Sequence, residues 1–249
     1  MTTRRFFIDP KTIKIGKPEI LGSDARHMVR VLRLSAGDTV ELFDGSGTGY
    51  RAQIVSAQAH KIRLQLLASF PIASESPIQI TLAQGFLKDR KMDDLIRPLT
   101  ELGIHCWMPF FSSRSVPSPD EHRVRKRLAR WEKIAMEAVK QCKRGRIPQI
   151  EPAISLEEVL KASEKTELNL LFYEEEGHGF ERPKNAPAEP TSIMMVVGPE
   201  GGFSADEVEQ ARSYGFAIAG MGPRILRAQT AAVAACALVQ CLYGDMGTR

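Results

Sequence analysis

Two hydrophobic periods divide this chain. Up to about residue 70 the apolar positions alternate as they do in strands. Thr39–Phe43 and Tyr50–Val55 flank Asp44-Gly45-Ser46-Gly47-Thr48-Gly49, which suits a hairpin, and Ile62–Leu66 continues the meander. Between the first strand and this hairpin, Asp24 to Leu34 has helical spacing through Met28, Val29 and Leu32. The glycine triplet does not fit G-x-G-x-x-G, and a strand rather than a helix follows it, so it reads as a turn. The pattern predicts a small β-barrel.

Ser69 to Pro77 reads as a linker, and beyond it strands and helices alternate, the signature of a parallel sheet. Predicted strands are Ile78 to Ala83, Cys106 to Phe111, Leu168 to Tyr173, Ile193 to Val197 and Phe216 to Ala219. A helix is expected from Pro119 to Cys142, opened by Ser118 as N-cap, Pro119 at its first position and Glu121 completing a capping box. Its apolar stripe runs through Val124, Leu128, Trp131, Ala135, Ala138 and Cys142, leaving arginines and lysines on the solvent side. A second capping box, Ser204 with Glu207, starts another helix. The last helix, Gln229 to Leu242, is rich in alanine and is expected to be buried on several sides. The fold class is therefore α/β, with a barrel over residues 1–72 and a parallel-sheet domain over 73–249.

Composition narrows the function classes without choosing one. The 249 residues are 43% hydrophobic and 26% charged, enough for a substantial core. No apolar run approaches a membrane span, and the N-terminus lacks the apolar stretch of a signal peptide. The four cysteines show no C-x-x-C spacing and read as reduced core residues, so a cytoplasmic protein with no metal site is expected. The net charge of +4 is modest, but basic residues cluster in His122 to Arg130 and Lys140 to Arg146, which suits a polyanionic partner.

Candidate chemistry sits in two glycine-proline loops. Val196 to Phe203 contains Gly198-Pro199-Glu200-Gly201-Gly202, and Gly220 to Arg227 contains Gly222-Pro223-Arg224-Ile225-Leu226. Each follows a predicted strand and leads into a predicted helix, so both should emerge at the same sheet edge, where open α/β folds hold ligands. The first loop lacks the Lys-Ser/Thr of a phosphate-binding loop and carries Glu200, which would repel an anion. A cationic ligand suits it better. The alternative is a pair of tight turns, with Glu200 serving the dipole of the helix that follows.

These two motifs closely resemble the RsmE family of 16S ribosomal RNA methyltransferases. Arg4-Arg5-Phe6-Phe7, His27 to Arg33, Phe43-Asp44-Gly45, Thr100 to Gly103 and Arg146-Ile147-Pro148 match further family landmarks in order. The resemblance implies an N-terminal PUA-like barrel and a C-terminal SPOUT α/β-knot domain with a trefoil knot. It implies a homodimer that binds S-adenosyl-L-methionine and methylates N3 of a uridine in the 16S rRNA of the small ribosomal subunit.

Carried onto this chain, the cofactor pocket comprises Val197, Gly198, Pro199, Glu200, Gly201 and Gly202 with Met221, Gly222, Pro223, Arg224, Ile225 and Leu226. Arg227 would stabilise the uracil anion or grip the neighbouring phosphate, and Glu200 is a candidate proton acceptor. Arg4, Arg5, Arg30, Arg33, Arg114, Arg125 and Arg144 would hold RNA. The family commonly has an acid two places after the last arginine of the second loop; here Gln229 stands there and cannot take up a proton. Pro98 departs from the family pattern too, and is expected to bend or interrupt its helix. The same fold acting on another RNA, and an RNA-binding assembly factor without turnover, are the alternatives.

Overall fold

The computed structural model describes residues 5–88, 90–115, 121–176 and 179–247, and for 121–125 and 176 the backbone alone. The chain forms two compact units. One runs up to Glu75 and includes Val139–Ile147; the other comprises Ser76–Ala138 and the chain from Pro148 onward.

The first unit is built on strands β1 (Arg5–Phe7), β2 (Glu19–Leu21), β3 (Thr39–Phe43), β4 (Thr48–Gln58) and β5 (Lys61–Pro71). Their order is β1-β3-β4-β5-β2, antiparallel except where β1 runs parallel to β3. Register shifts between Arg51 and Ala52 and between Ile54 and Ser56 curl the long β4–β5 ribbon. Phe6, Ile20, Val40, Leu42, Ile54, Ile62 and Leu64 fill the concave face. The expected hairpin is present, with Gly45 and Gly47 at φ of 82° and 103°, a region that glycine enters freely. Helix α1 (Pro10–Lys14) is capped by Asp9.

Three expectations for this unit need correction. Helix α2 (Gly22–Arg26) starts two residues before Asp24 and continues as a π-helical turn, His27–Val31, so it ends before Leu34. The linker begins only at Ile72, because Ser69, Phe70 and Pro71 pair with Tyr50, Gly49 and Thr48. Gly49 leaves the room that the Phe70 ring fills. Arg144 is buried, at 5% exposure, and does not face solvent.

Glu75 explains that burial. One of its oxygens accepts from the backbone N–H of Gly145 (2.7 Å) and Arg146 (2.8 Å), while the other meets the Arg144 guanidinium at 3.0 Å. Arg5 donates to the carbonyls of Lys143 and Arg144 and lies 4.5 Å above the Phe43 ring. Both arginines therefore hold this segment in place.

The second unit carries β6 (Gln79–Gly85), α3 (Lys91–Glu101), β7 (Cys106–Phe111), α4 (Glu121–Cys142, whose last turn belongs with the first unit), β8 (Gln149–Ile150), β9 (Ile154–Ser155), α5 (Leu156–Ala162), β10 (Leu168–Phe172), β11 (Ser192–Val197), α6 (Ala205–Ser213), β12 (Ala217–Ala219) and α7 (Ala228–Tyr243). Among the described residues the strands form a seven-stranded parallel sheet, ordered β12-β10-β11-β6-β7-β8, with β9 also paired to β7. Near-continuous apolar strands such as Ile193–Val197 are what a sheet covered on both faces requires. Phe110, Leu171, Val196, Phe203, Val208 and Phe216 form one of its cores.

Helix α3 runs through Pro98 without interruption, because Leu95, Ile96, Leu99 and Thr100 keep its inner face buried past the missing donor. Ser118 and Pro119, the expected start of α4, lie outside the described residues. Trp131, Ala135 and Ala138 of its predicted stripe are buried, and Trp131 donates to Asp93 at 2.7 Å. Helix α7 packs against α3, β6 and β11, but Leu238 and Leu242 are exposed, so it is covered on one side rather than several. The cysteines are free; Cys106 and Cys236 are buried, whereas Cys241 is exposed. Burial pushes the Cys106 thiol up to about 12. Among the described residues no helix is long and apolar enough to cross a membrane.

Candidate active site

Strand order decides the site. Because β10 lies between β11 and β12, three carboxyl-terminal strand ends stand side by side at one sheet edge. Both predicted glycine loops emerge there, as does a third segment between them. Together they enclose a cavity of about 400 Å³, within the roughly 300–1,000 Å³ usual for small-ligand sites.

Val197, Gly198, Pro199, Glu200 and Gly202 line it from the first loop, and Met221, Gly222, Arg224, Ile225, Leu226 and Arg227 from the second. Gly201 and Pro223 are not among the lining residues. The Gly201 carbonyl instead accepts from Arg114 Nη1 at 3.0 Å. Sequence reasoning missed Phe172, Tyr173 and Glu174 beyond β10, Lys91 at the start of α3, and Ala228 and Ala231 of α7, all of which contribute to the wall. The acidic run at Glu174 was visible as charge, but only the strand order puts it between the glycine loops.

Local geometry fixes the first loop from three directions. Gly85, the last residue of β6, lies so close that a Cβ there would sit 2.5 Å from Pro199 Cδ and 2.7 Å from the Gly198 carbonyl carbon. The buried Gln84 amide donates to the carbonyls of Gly85 (3.0 Å) and Gly198 (3.1 Å). Beyond the loop, Ser204 and Glu207 form the expected capping box on α6, and Glu207 also accepts from the Ser113 N–H at 2.8 Å.

Glu200 is already engaged. Its Oε1 accepts from Lys91 Nζ at 3.0 Å and from the Lys88 backbone N–H at 3.1 Å. Burial would push its pKa up, but these hydrogen bonds outweigh that and hold it below the usual carboxylate value. A carboxylate held ionised in this way is a weak proton acceptor. The geometry gives Glu200 the part of a tie between the loop and the start of α3.

Arg227 is the N-cap residue of α7, with φ −63° and ψ 146°, and makes no side-chain cap bond. It is exposed at the cavity rim, as is Arg224, and neither guanidinium has a hydrogen-bond or ion-pair partner among the described residues. Two uncommitted cations therefore flank the opening. Of the other arginines assigned to RNA, Arg30 and Arg33 are exposed on and just after the π-helical turn, and Arg33 adopts a left-handed φ of 55°. Arg114 is exposed but bound to Gly201; Arg5 and Arg144 are the structural pair described above. Arg4 and the Arg125 side chain lie outside the described residues.

Residues 74–240 match the RNA methyltransferase domain family, and residues 20–67 match the RNA methyltransferase PUA domain. The chain is 30% identical over 236 residues to the ribosomal RNA small subunit methyltransferase E of Bacillus subtilis, covering 92% of each. The chain belongs to the ribosomal RNA small subunit methyltransferase E family. Its Synechocystis relative of the same name is 31% identical over 243 residues, covering 96% of this chain and 77% of the relative. The small subunit methyltransferase E of Neisseria gonorrhoeae, solved bound to S-adenosyl methionine, superimposes with a TM-score of 0.83 at 29% identity, covering 98% of this chain and 99% of that one. As a methyltransferase E family member, the chain has the expected fold class, a SPOUT α/β domain with a parallel sheet and a smaller N-terminal PUA-like unit.

Proposed function

We propose that this chain transfers a methyl group from S-adenosylmethionine to N3 of a uridine in 16S rRNA. The observation that carries the reading is the cavity at three adjacent strand ends, walled by main-chain loops and rimmed by unpaired Arg224 and Arg227. The residues present suit the cofactor: Phe172, Val197, Met221, Leu226 and Ala231 offer an apolar wall, exposed loop backbone can read an adenine edge, and Glu174 supplies negative charge for a cationic ligand. When bound, the cofactor supplies an electrophilic methyl group on a positively charged sulfur.

The protein's share is positioning and electrostatics. N3 of uridine is a weakly acidic imide on the pairing edge, so the base must leave its stack to be reached. As the N3 proton departs, negative charge spreads onto the flanking carbonyl oxygens, and Arg227 at the rim is placed to meet it. With Glu200 tied and Gln229 neutral, the proton passes to solvent. In this reading residues 1–72 dock RNA through Arg30 and Arg33, and 73–249 carry the chemistry. The exposed Leu238, Leu242 and Met246 favour the homodimer the resemblance implies.

Nucleoside mass spectrometry of 16S rRNA from a deletion strain tests the function. Loss of 3-methyluridine, restored by the intact gene, is the expected result; its persistence would favour the same fold on another RNA, or an assembly factor without turnover. Glu200→Gln is expected to leave the pH–rate profile unchanged in shape between about pH 6 and 9. Because the fold lowers the carboxylate's pKa, the ion pair contributes fully above the ordinary value of 4.5 and fades only as pH falls through the lowered one. Loss, in that variant, of an acidic limb that the unaltered protein shows would reinstate Glu200 as the proton acceptor.

A further inference from the structure

We infer that the RNA strand flanking the target uridine runs along the α3–α4 side of the second unit, held by Lys88, Arg90, Lys126, Arg127 and Arg130, and is kept off the α5–α6 side by carboxylates. This inference deepens the proposed function and rests on RNA being the substrate. The two faces of the sheet carry helices of opposite character. Helices α5 and α6 cover the face that bears Ala83, Phe110 and Val196. Helix α4 packs on the other face through Trp131, whose ring meets Trp107 edge-on at 4.9 Å. Trp107 points opposite to Phe110 because side chains alternate along β7. Trp131 also ties α4 to Asp93 of α3.

The connection from β6 to α3 leaves the sheet at the same edge as the glycine loops. It carries Lys88 and Arg90, both exposed and without a side-chain partner among the described residues, and Lys126 on α4 is in the same condition. Two more cations are fixed beside them. The Arg127 guanidinium lies 5.2 Å from the centre of the Phe86 ring, which itself stacks on Phe111 at 4.9 Å. Arg130 Nε meets Asp93 at 2.9 Å, yet 52% of its side chain is exposed. A guanidinium laid on a ring keeps its edge donors free for phosphate oxygens. An ordinary solvated face leaves its long cations unsupported; here an aromatic stack and a carboxylate preorganise two of them. Among the described residues the acids on this side are Asp93, Asp94 and Glu132, so it stays net positive. On the other side Glu174 and Glu175 stand exposed beyond β10, and Asp206 and Glu209 on α6. A phosphate chain leaving the cavity meets cations in one direction and carboxylates in the other.

The test is methylation kinetics of the whole chain on small ribosomal subunits purified from the deletion strain. In one variant Lys88→Gln, Arg90→Gln and Lys126→Gln are combined; all three side chains are exposed, so Tm should hold. KM for the subunit should rise about tenfold near physiological salt, and the slope of log kcat/KM against log salt should become shallower by about two, at roughly 0.7 per lost phosphate contact. Turnover at saturation and S-adenosylmethionine affinity should stay within about twofold. Asp206→Asn with Glu209→Gln should leave KM unchanged or lower it. A photoreactive side chain in place of Lys126 should cross-link to 16S rRNA beside the methylated uridine. An unchanged KM and salt slope in the triple variant, an equal rise in the acidic-side variant, or cross-links to ribosomal protein alone would each overturn the inference while leaving the proposed function intact. Failure of the unaltered protein to methylate the subunit would overturn both.

Discussion

Gly85→Ala should yield a protein that folds but no longer binds the methyl donor. The added methyl group would lie 2.5 Å from Pro199 Cδ, 2.7 Å from the Gly198 carbonyl carbon, and closer still to Pro199 N. These are backbone and ring atoms that cannot rotate away, unlike the tip of a flexible side chain. Either β6 or the loop must shift, and the loop is the softer of the two, because Gly85 pairs with Phe110 of β7 and the preceding residues of β6 pair with both β11 and β7. Overpacking of this kind costs about 1–3 kcal/mol, which for a chain of this size lowers Tm by several degrees. Cofactor affinity should fall further than stability, since Gly198 and Pro199 form the cavity wall itself. Calorimetry beside thermal unfolding reads both; unchanged affinity in a destabilised protein would mean that the ligand does not use this loop.

Arg227→Ala is expected to lower kcat by about 10²–10³-fold, the usual cost of removing one donor aimed at developing charge. Cofactor affinity should stay nearly constant, because the guanidinium sits at the rim and leaves the main-chain wall intact. Lysine would restore part of the rate but lacks the planar fork that can reach two acceptors. If the side chain grips a phosphate instead, the loss would appear in KM and in the salt dependence of RNA binding, with kcat at saturation preserved. Single-turnover kinetics over a range of salt distinguishes the two roles, and normal turnover with normal salt dependence would remove both.

Much of this architecture was legible because periodicity reports burial. Cys106–Phe111 was read to the residue, and Ile193–Val197 to within one, since both are apolar runs bounded by turn residues. The capping box on α6 was equally plain, because Ser204 and Glu207 act on each other across three positions. What escaped has a common cause. The strands Gln149–Ile150 and Ile154–Ser155 are too short to show a period, and Ser69–Pro71 joins a strand only because Gly49 makes room across the ladder. That the two glycine loops share one sheet edge was legible, yet Glu174 and Lys91 join the cavity between them through strand order and helix placement, which no local pattern encodes. Arg144 misled for a related reason: its charge is visible in the sequence, while the Glu75 that consumes it is 69 positions away.

The sheet order also has a temporal meaning for the nascent chain. Apart from Lys91, every residue walling the cavity falls at or after Phe172, and its last walls belong to α7. The first unit, by contrast, is complete once Ile147 has emerged. During synthesis the chain of the first unit is therefore complete before the walls of the cavity are, and the cavity can close only once α7 has been made.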